Sequence, residues 1–108
     1  HYPAVPAPRH ARAVADAPLP RPPSFDEPDV GGKPAHIRDA PRLTDGQIRA
    51  IEAHHRDRLR SLLALDELVA GLVGMLEARG VLDRTTVLVT SDHGWHRGEH
   101  RIPLGKET

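Results

Sequence analysis

Residues 90 to 106, "TSDHGWHRGEHRIPLGK", gather Asp92, three histidines, Glu99 and Lys106 directly behind "TTVLV", the most strand-like run in the chain. Neighbouring residues on extended chain point to opposite sides, so Asp92 and His93 reach one point only if the backbone turns, which Gly94 permits. A carboxylate oxygen and an imidazole nitrogen brought together in this way can ligate a divalent cation. Equally, Asp92 can cap the following turn through its side chain and leave His93 in water. Two ligands do not complete a metal site, and the others must come from elsewhere. His96 and His100 would share a face on a helix, but Gly94, Gly98 and Pro103 disfavour one and the zinc-protease pattern is absent. Both read as solvated or loop-bracing. Lys106 can offer an ammonium to an anionic substrate or sit as an ordinary surface cation. Glu99 can brace His93 or His100, or face water. Trp95 reads as a loop-packing residue, with Arg97 beside it at the rim.

The elements that must position this loop divide the chain into three parts. Residues 1–43 hold ten of the eleven prolines and almost no hydrophobic periodicity. Each proline restricts itself and its predecessor, so this part is expected to run as an irregular segment. Alone it would be disordered; within a larger protein it would be a long surface excursion pinned by Tyr2 and Phe25. Residues 44–80 read as one helix. Thr44 and Gln47 form a capping box, Ile48, Ile51, His55, Leu59, Leu62 and the aliphatics up to Leu76 recur at helical steps, and Gly80 suits a left-handed cap. His54, His55 and Asp66 fall at the surface or the edge of that stripe. A helix of about 35 residues is roughly 50 Å long, too much apolar face for this chain to cover. Residues 85–90 are β-branched and nearly all apolar, the pattern of a strand buried on both faces in a parallel α/β sheet. In such sheets, sites form at the carboxyl ends of strands, where residues 91–108 begin.

Composition excludes several classes. Fifteen basic residues balance fifteen acidic ones, and thirteen of the basic ones are Arg. Nothing here suggests a nucleic-acid partner. Cysteine is absent, which removes disulfides, thiolate metal sites and a cysteine nucleophile from this chain. No segment reads as membrane-spanning or as a signal peptide. A chain of 108 residues that begins at His1 without Met and stops inside a motif is expected to be a piece of a longer protein.

Taken together, "TVLVTSDHGWHRGEHRIPLGK" resembles the sulfatase family of the alkaline-phosphatase-like superfamily, in which a strand delivers a Thr-Ser-Asp-(Asn/His)-Gly loop followed by Gly-Glu-His and Gly-Lys. "SLLALDELVAGLVGMLEARGVLDRTTVLVTSDHG" is similar to the helix and strand before that loop, "SFDEPDVGGKP" to the family's middle segment, and "HYPAVPAPRH" to its His-x-Pro stretch. The resemblance implies an α/β fold, with this chain an internal part of a doubly wound catalytic domain. It implies that Asp92 and His93 are metal ligands and that Lys106 contacts the sulfate oxygens. It further implies that His1 binds the sulfate or helps the ester oxygen leave, with His100 also near the substrate.

The implied reaction is hydrolysis of a sulfate ester or sulfamate, on a sulfated small molecule or glycan. The implied cofactors are a divalent metal, usually calcium, with magnesium, manganese or zinc as alternatives, and a formylglycine nucleophile made by a maturation enzyme. That nucleophile arises in a Cys/Ser-x-Pro-x-Arg motif. Ser24, Ser61 and Ser91 all lack this context, so it is expected outside these residues and the peptide alone is expected to be inactive. His93 departs from the all-oxygen preference of calcium. It keeps open a phosphonate monoester or phosphodiester hydrolase of the same superfamily. An inactive sulfatase-like binding protein is the non-enzyme alternative.

Overall fold

The computed structural model describes residues 3–106. Tyr2 and His1 lie outside the described residues, and with them the expected Tyr2 pin and the His1 site assignment. One element dominates: a helix over Asp45–Ala78, preceded by a single helical turn over Ala35–Arg38. We label these α2 and α1. The start of α2 is held reciprocally, because the Thr44 N–H donates to Gln47 Oε1 (2.8 Å) and the Gln47 N–H donates to Thr44 Oγ1 (3.3 Å). At the other end Gly80 takes φ +62°. The Gly80 N–H then reaches the Glu77 carbonyl and the Val81 N–H the Leu76 carbonyl, closing a Schellman pair.

The chain separates into two compact units, and α2 contributes to both. The first joins the residues up to Ala15 with Asp57–Asp92. Here Glu67 accepts from Arg9 and pairs with His10 (2.9 Å), and Arg60 Nε donates to the Ala13 carbonyl (2.9 Å). The apolar face of α2 stays largely in solvent: Leu62, Leu65, Leu68, Leu72 and Met75 are all exposed. No helix among the described residues is long and apolar enough to cross a membrane.

The expected buried strand over residues 85–90 is not formed. Among the described residues there is no strand, only two isolated antiparallel bridges, and Leu88 and Val89 are 87% and 90% exposed. The physical reason is that a strand exists only through its ladder partners, and no described segment pairs with this one. Its apolar side chains instead share an open groove with Val69, Leu72, Val73 and Leu76 of α2.

The second unit joins Asp16–Arg56 with the residues from His93 onward. Its core is Leu19, Leu43 and the fully buried Ile51, with Phe25, Ile48 and Leu104 packed around them. The proline-rich segment is folded down here by side-chain donors. Proline removes N–H groups, so its carbonyls need partners from elsewhere. Arg101 supplies them as a fork, donating to the carbonyls of Glu27 (3.0 Å), Pro28 (2.9 Å) and Ala40 (2.9 Å). Buried Asp26 does the converse, accepting from the Leu43 N–H and from Arg42 Nε, both at 2.8 Å.

Candidate functional site

The loop from His93 to Lys106 is fixed to the proline-rich segment by a short antiparallel contact. The Asp26 N–H donates to the Gly98 carbonyl and the His100 N–H to the Ser24 carbonyl, both at 2.8 Å. Gly98 is required at this crossing. Its φ is +99°, and a Cβ there would stand 2.4 Å from Phe25 Cε2. A second bridge pairs His96 with Gly105, with the His96 N–H on the Gly105 carbonyl at 2.8 Å. This brings the far end of the loop, and Lys106 with it, back beside the near end.

Between the bridges the chain reverses at Glu99–Ile102, where the Ile102 N–H returns to the Glu99 carbonyl (3.0 Å). Both central residues, His100 and Arg101, sit at positive φ, +53° and +65°. That is the φ pattern of a type I′ turn, which usually takes Asn or Gly. Non-glycine side chains there cost roughly 1–2 kcal/mol each, so the surrounding contacts must hold them.

The result is an open cavity of about 360 Å³ lined by His93, Gly94, Trp95, His96, Glu99, His100 and Lys106. Three of the residues singled out from the sequence, His93, His100 and Lys106, therefore face one space. His93 Nδ1 lies 3.0 Å from the Gly94 carbonyl, which can only accept, so Nδ1 carries the proton. Nε2 is left with the lone pair and meets Lys106 Nζ at 3.0 Å. The Lys106 ammonium also lies 5.9 Å from the centre of the Trp95 ring, within cation–π range. Trp95 in turn stacks on His54, with ring centroids 5.5 Å apart. Asp92 ends the first unit and His93 begins the second.

Several bracing residues differ from the sequence expectation. His100 is held by Glu27 of the proline-rich segment, with Nδ1 2.9 Å from Oε2, and not by Glu99. Glu99 Oε2 accepts from the Arg97 N–H at 2.5 Å. The Glu27 carboxyl is held below its usual range, first by the hydrogen bond from His100 and, against some desolvation, by the Lys33 charge. Arg97 turns inward, its Nη1 2.9 Å from His55 Nδ1. His55 is buried in α2 where a helix-edge position was expected. Burial first, then the Arg97 charge, push its pKa below the ordinary imidazole value. Glu27 lies in "SFDEPDVGGKP", the stretch that resembles the family's middle segment, and His55 in the helical stripe, but no spacing in the sequence pointed to their partners His100 and Arg97.

For a metal, the chemistry of the donor set fits in part. Asp92 offers carboxylate oxygens, and His93 offers a neutral ring whose Nε2 is the basic nitrogen, the form that ligates cations. No group of three or more His, Cys, Asp or Glu side chains suited to a metal ion exists among the described residues. One lone pair serves one partner, so a cation could take Nε2 only in place of Lys106.

Comparison with known proteins gives one family throughout. The sulfatase family model matches residues 8–108. An arylsulfatase of Volvox carteri is 43% identical over 99% of this chain and 17% of its own length. The sulfatase ppz1 of Metarhizium majus is 40% identical over 94% of the chain and 24% of its length. The human N-acetylglucosamine-6-sulfatase is 34% identical over 98% of the chain and 19% of its length. No solved structure matches the chain. The chain thus spans about a fifth of the length of these relatives, and with the family model covering residues 8–108 it belongs to the sulfatase family.

Proposed function

We propose that the protein to which these residues belong hydrolyses sulfate esters or sulfamates, and that the His93–His100–Lys106 cavity is part of the site that holds the sulfate group. The observation that carries this reading is the convergence of three imidazoles, those of His93, His96 and His100, and the Lys106 ammonium on one open cavity, in a chain of the sulfatase family. A sulfate ester is a fixed anion whose oxygens gain charge as the S–O bond breaks. A cationic donor such as the Lys106 ammonium, placed against those oxygens, would stabilise the transition state more than the ground state.

In this reading Lys106 neutralises charge developing on the sulfate oxygens. His100 contacts the ester group, and His1 binds the sulfate or aids departure of the alcohol oxygen. Asp92 and His93 would hold a divalent cation together with ligands from other parts of the protein. Calcium is the usual ion in this family, while the imidazole of His93 suits zinc or manganese better than calcium. When bound, the metal supplies Lewis-acid polarisation of sulfate oxygens. The nucleophile, a formylglycine, would come from a Cys or Ser outside these residues, since none of the three serines here has the required context. An enzyme that installs it is therefore a necessary partner. The doubly wound sheet of the family would supply the ladder neighbours that residues 85–90 lack among the described residues, and would cover the exposed face of α2.

The test uses the full-length protein with Asp92→Ala, His93→Ala and Lys106→Ala, assayed for bound metal and for hydrolysis of an aryl sulfate beside a phosphonate monoester. Losing either ligand should lower metal affinity at least about 10- to 100-fold, the range seen when residues supporting metal ligands are removed. Losing Lys106 should cut kcat by about 10²–10³ with metal content not reduced. Full activity in both ligand variants would show the site assignment to be wrong. Preference for the phosphonate ester would move the protein to the phosphonate hydrolases. Absence of any turnover would leave an anion-binding relative of the sulfatases.

A further inference from the structure

We infer that Glu27, in the proline-rich segment, is a positioning residue for the substrate-binding cavity, acting through His100. The inference rests on the sulfate-ester reading above for its ligand but on separate observations for its geometry. His100 lines the cavity, yet its backbone is held at φ +53° in a turn that a glycine or asparagine would enter more easily. Positive φ in a non-glycine residue persists where surrounding contacts over-determine it, and such residues gather at ligand sites. The contacts here are identifiable. The His100 N–H donates to Ser24, Arg101 beside it forks onto three carbonyls of the proline-rich segment, and His100 Nδ1 meets Glu27 Oε2 at 2.9 Å.

A carboxylate can only accept, so Nδ1 carries the proton and the ring is fixed in tautomer and rotation. Nε2 is then the ring nitrogen directed away from Glu27. It meets an anionic ester oxygen as a donor when the ring is charged, or a hydroxyl of the alcohol as an acceptor when it is neutral. Lys33 lies 3.6 Å from the same Glu27 oxygen and offsets the negative charge that the cavity would otherwise feel. The segment expected to run as an irregular surface excursion thereby sets the orientation of one wall of the site.

The experiment is a double-mutant cycle in the full-length protein with Glu27→Gln, His100→Ala and both together. It reads the affinity for inorganic sulfate by calorimetry and kcat/KM on an aryl sulfate. Glu27→Ala, measured for thermal midpoint and for sulfate affinity, separates a purely structural loss from a loss in binding. If Glu27 acts through His100, each single variant weakens sulfate roughly 5- to 10-fold and the double variant is no weaker than His100→Ala. Gln retains a carbonyl acceptor for Nδ1, so Glu27→Gln should recover part of the loss seen in Glu27→Ala. Multiplying losses, or unchanged sulfate affinity in Glu27→Gln beside a loss in His100→Ala, overturns the inference. Coupled sulfate binding without turnover would sink the sulfatase reading and leave the positioning pair standing. Turnover without coupling would do the reverse, and no sulfate binding at all would overturn both.

Discussion

Replacing Asp26 probes how the proline-rich segment is held beneath the cavity. The residue is 8% exposed and stands at φ +42°, where Asn is tolerated and Ala is not. In Asp26→Ala the buried Leu43 N–H loses its charged acceptor, a contact worth about 1.5–3 kcal/mol. A left-handed Ala adds roughly 1 kcal/mol of strain. Arg42 is half in water, so its loss adds little. The sum is about 2.5–4 kcal/mol of local stability, or roughly 100-fold or more in opening. Asp26→Asn keeps an oxygen for Leu43 and suits the backbone, so it should cost only about 1 kcal/mol, near 5-fold. Hydrogen exchange of the Leu43 amide reads both at neutral pH. The pH dependence has a definite sign. The hydrogen bond from Arg42 leads in lowering the Asp26 pKa, with the Leu43 N–H and the Arg42 and Arg101 charges assisting against desolvation. A carboxyl lowered in the folded state contributes stability above its unfolded value near pH 4 and loses it as pH falls through the lower folded value. The gap between wild type and Asp26→Asn should close in that window. Wild-type exchange in Asp26→Ala, or equal effects of Ala and Asn, would refute the account.

Other variants test neighbouring links. Gly98→Ala forces a Cβ to within 2.4 Å of Phe25 at φ +99°, so the loop must shift. Overpacking with strain should cost about 2–4 kcal/mol, read as faster exchange of the Asp26 and His100 amides. Ile51→Ala empties a fully buried side chain of the second unit and should cost about 2–4 kcal/mol in urea unfolding. Asp92→Ala and His93→Ala should lower bound metal and sulfate-ester hydrolysis together. Their effects on the Leu43 amide should be slight, which separates a site defect from a folding defect.

Local features were legible in the sequence. The reciprocal Thr44–Gln47 cap and the left-handed Gly80 are short-range hydrogen-bond chemistry, written in adjacent residues and independent of distant chain. The family motif at Thr90–Lys106 was legible for the same reason: its chemistry is carried by contiguous residue types. Contacts across long separations were not legible. Glu27 and His100 are 73 residues apart, and Arg97 and His55 are 42 apart. Neither pair has a spacing that periodicity could reveal. The strand at 85–90 marks the opposite limit. Its composition expresses a preference for burial between neighbours, but a ladder is a property of at least two segments, and no described segment supplies the second. Tertiary structure alone decided that a turn with two strained residues, an arginine fork and a buried aspartate would bring the proline-rich segment under the loop that His93, His100 and Lys106 share. Backbone carbonyls left without donors by proline must find them somewhere, and only the folded chain shows where.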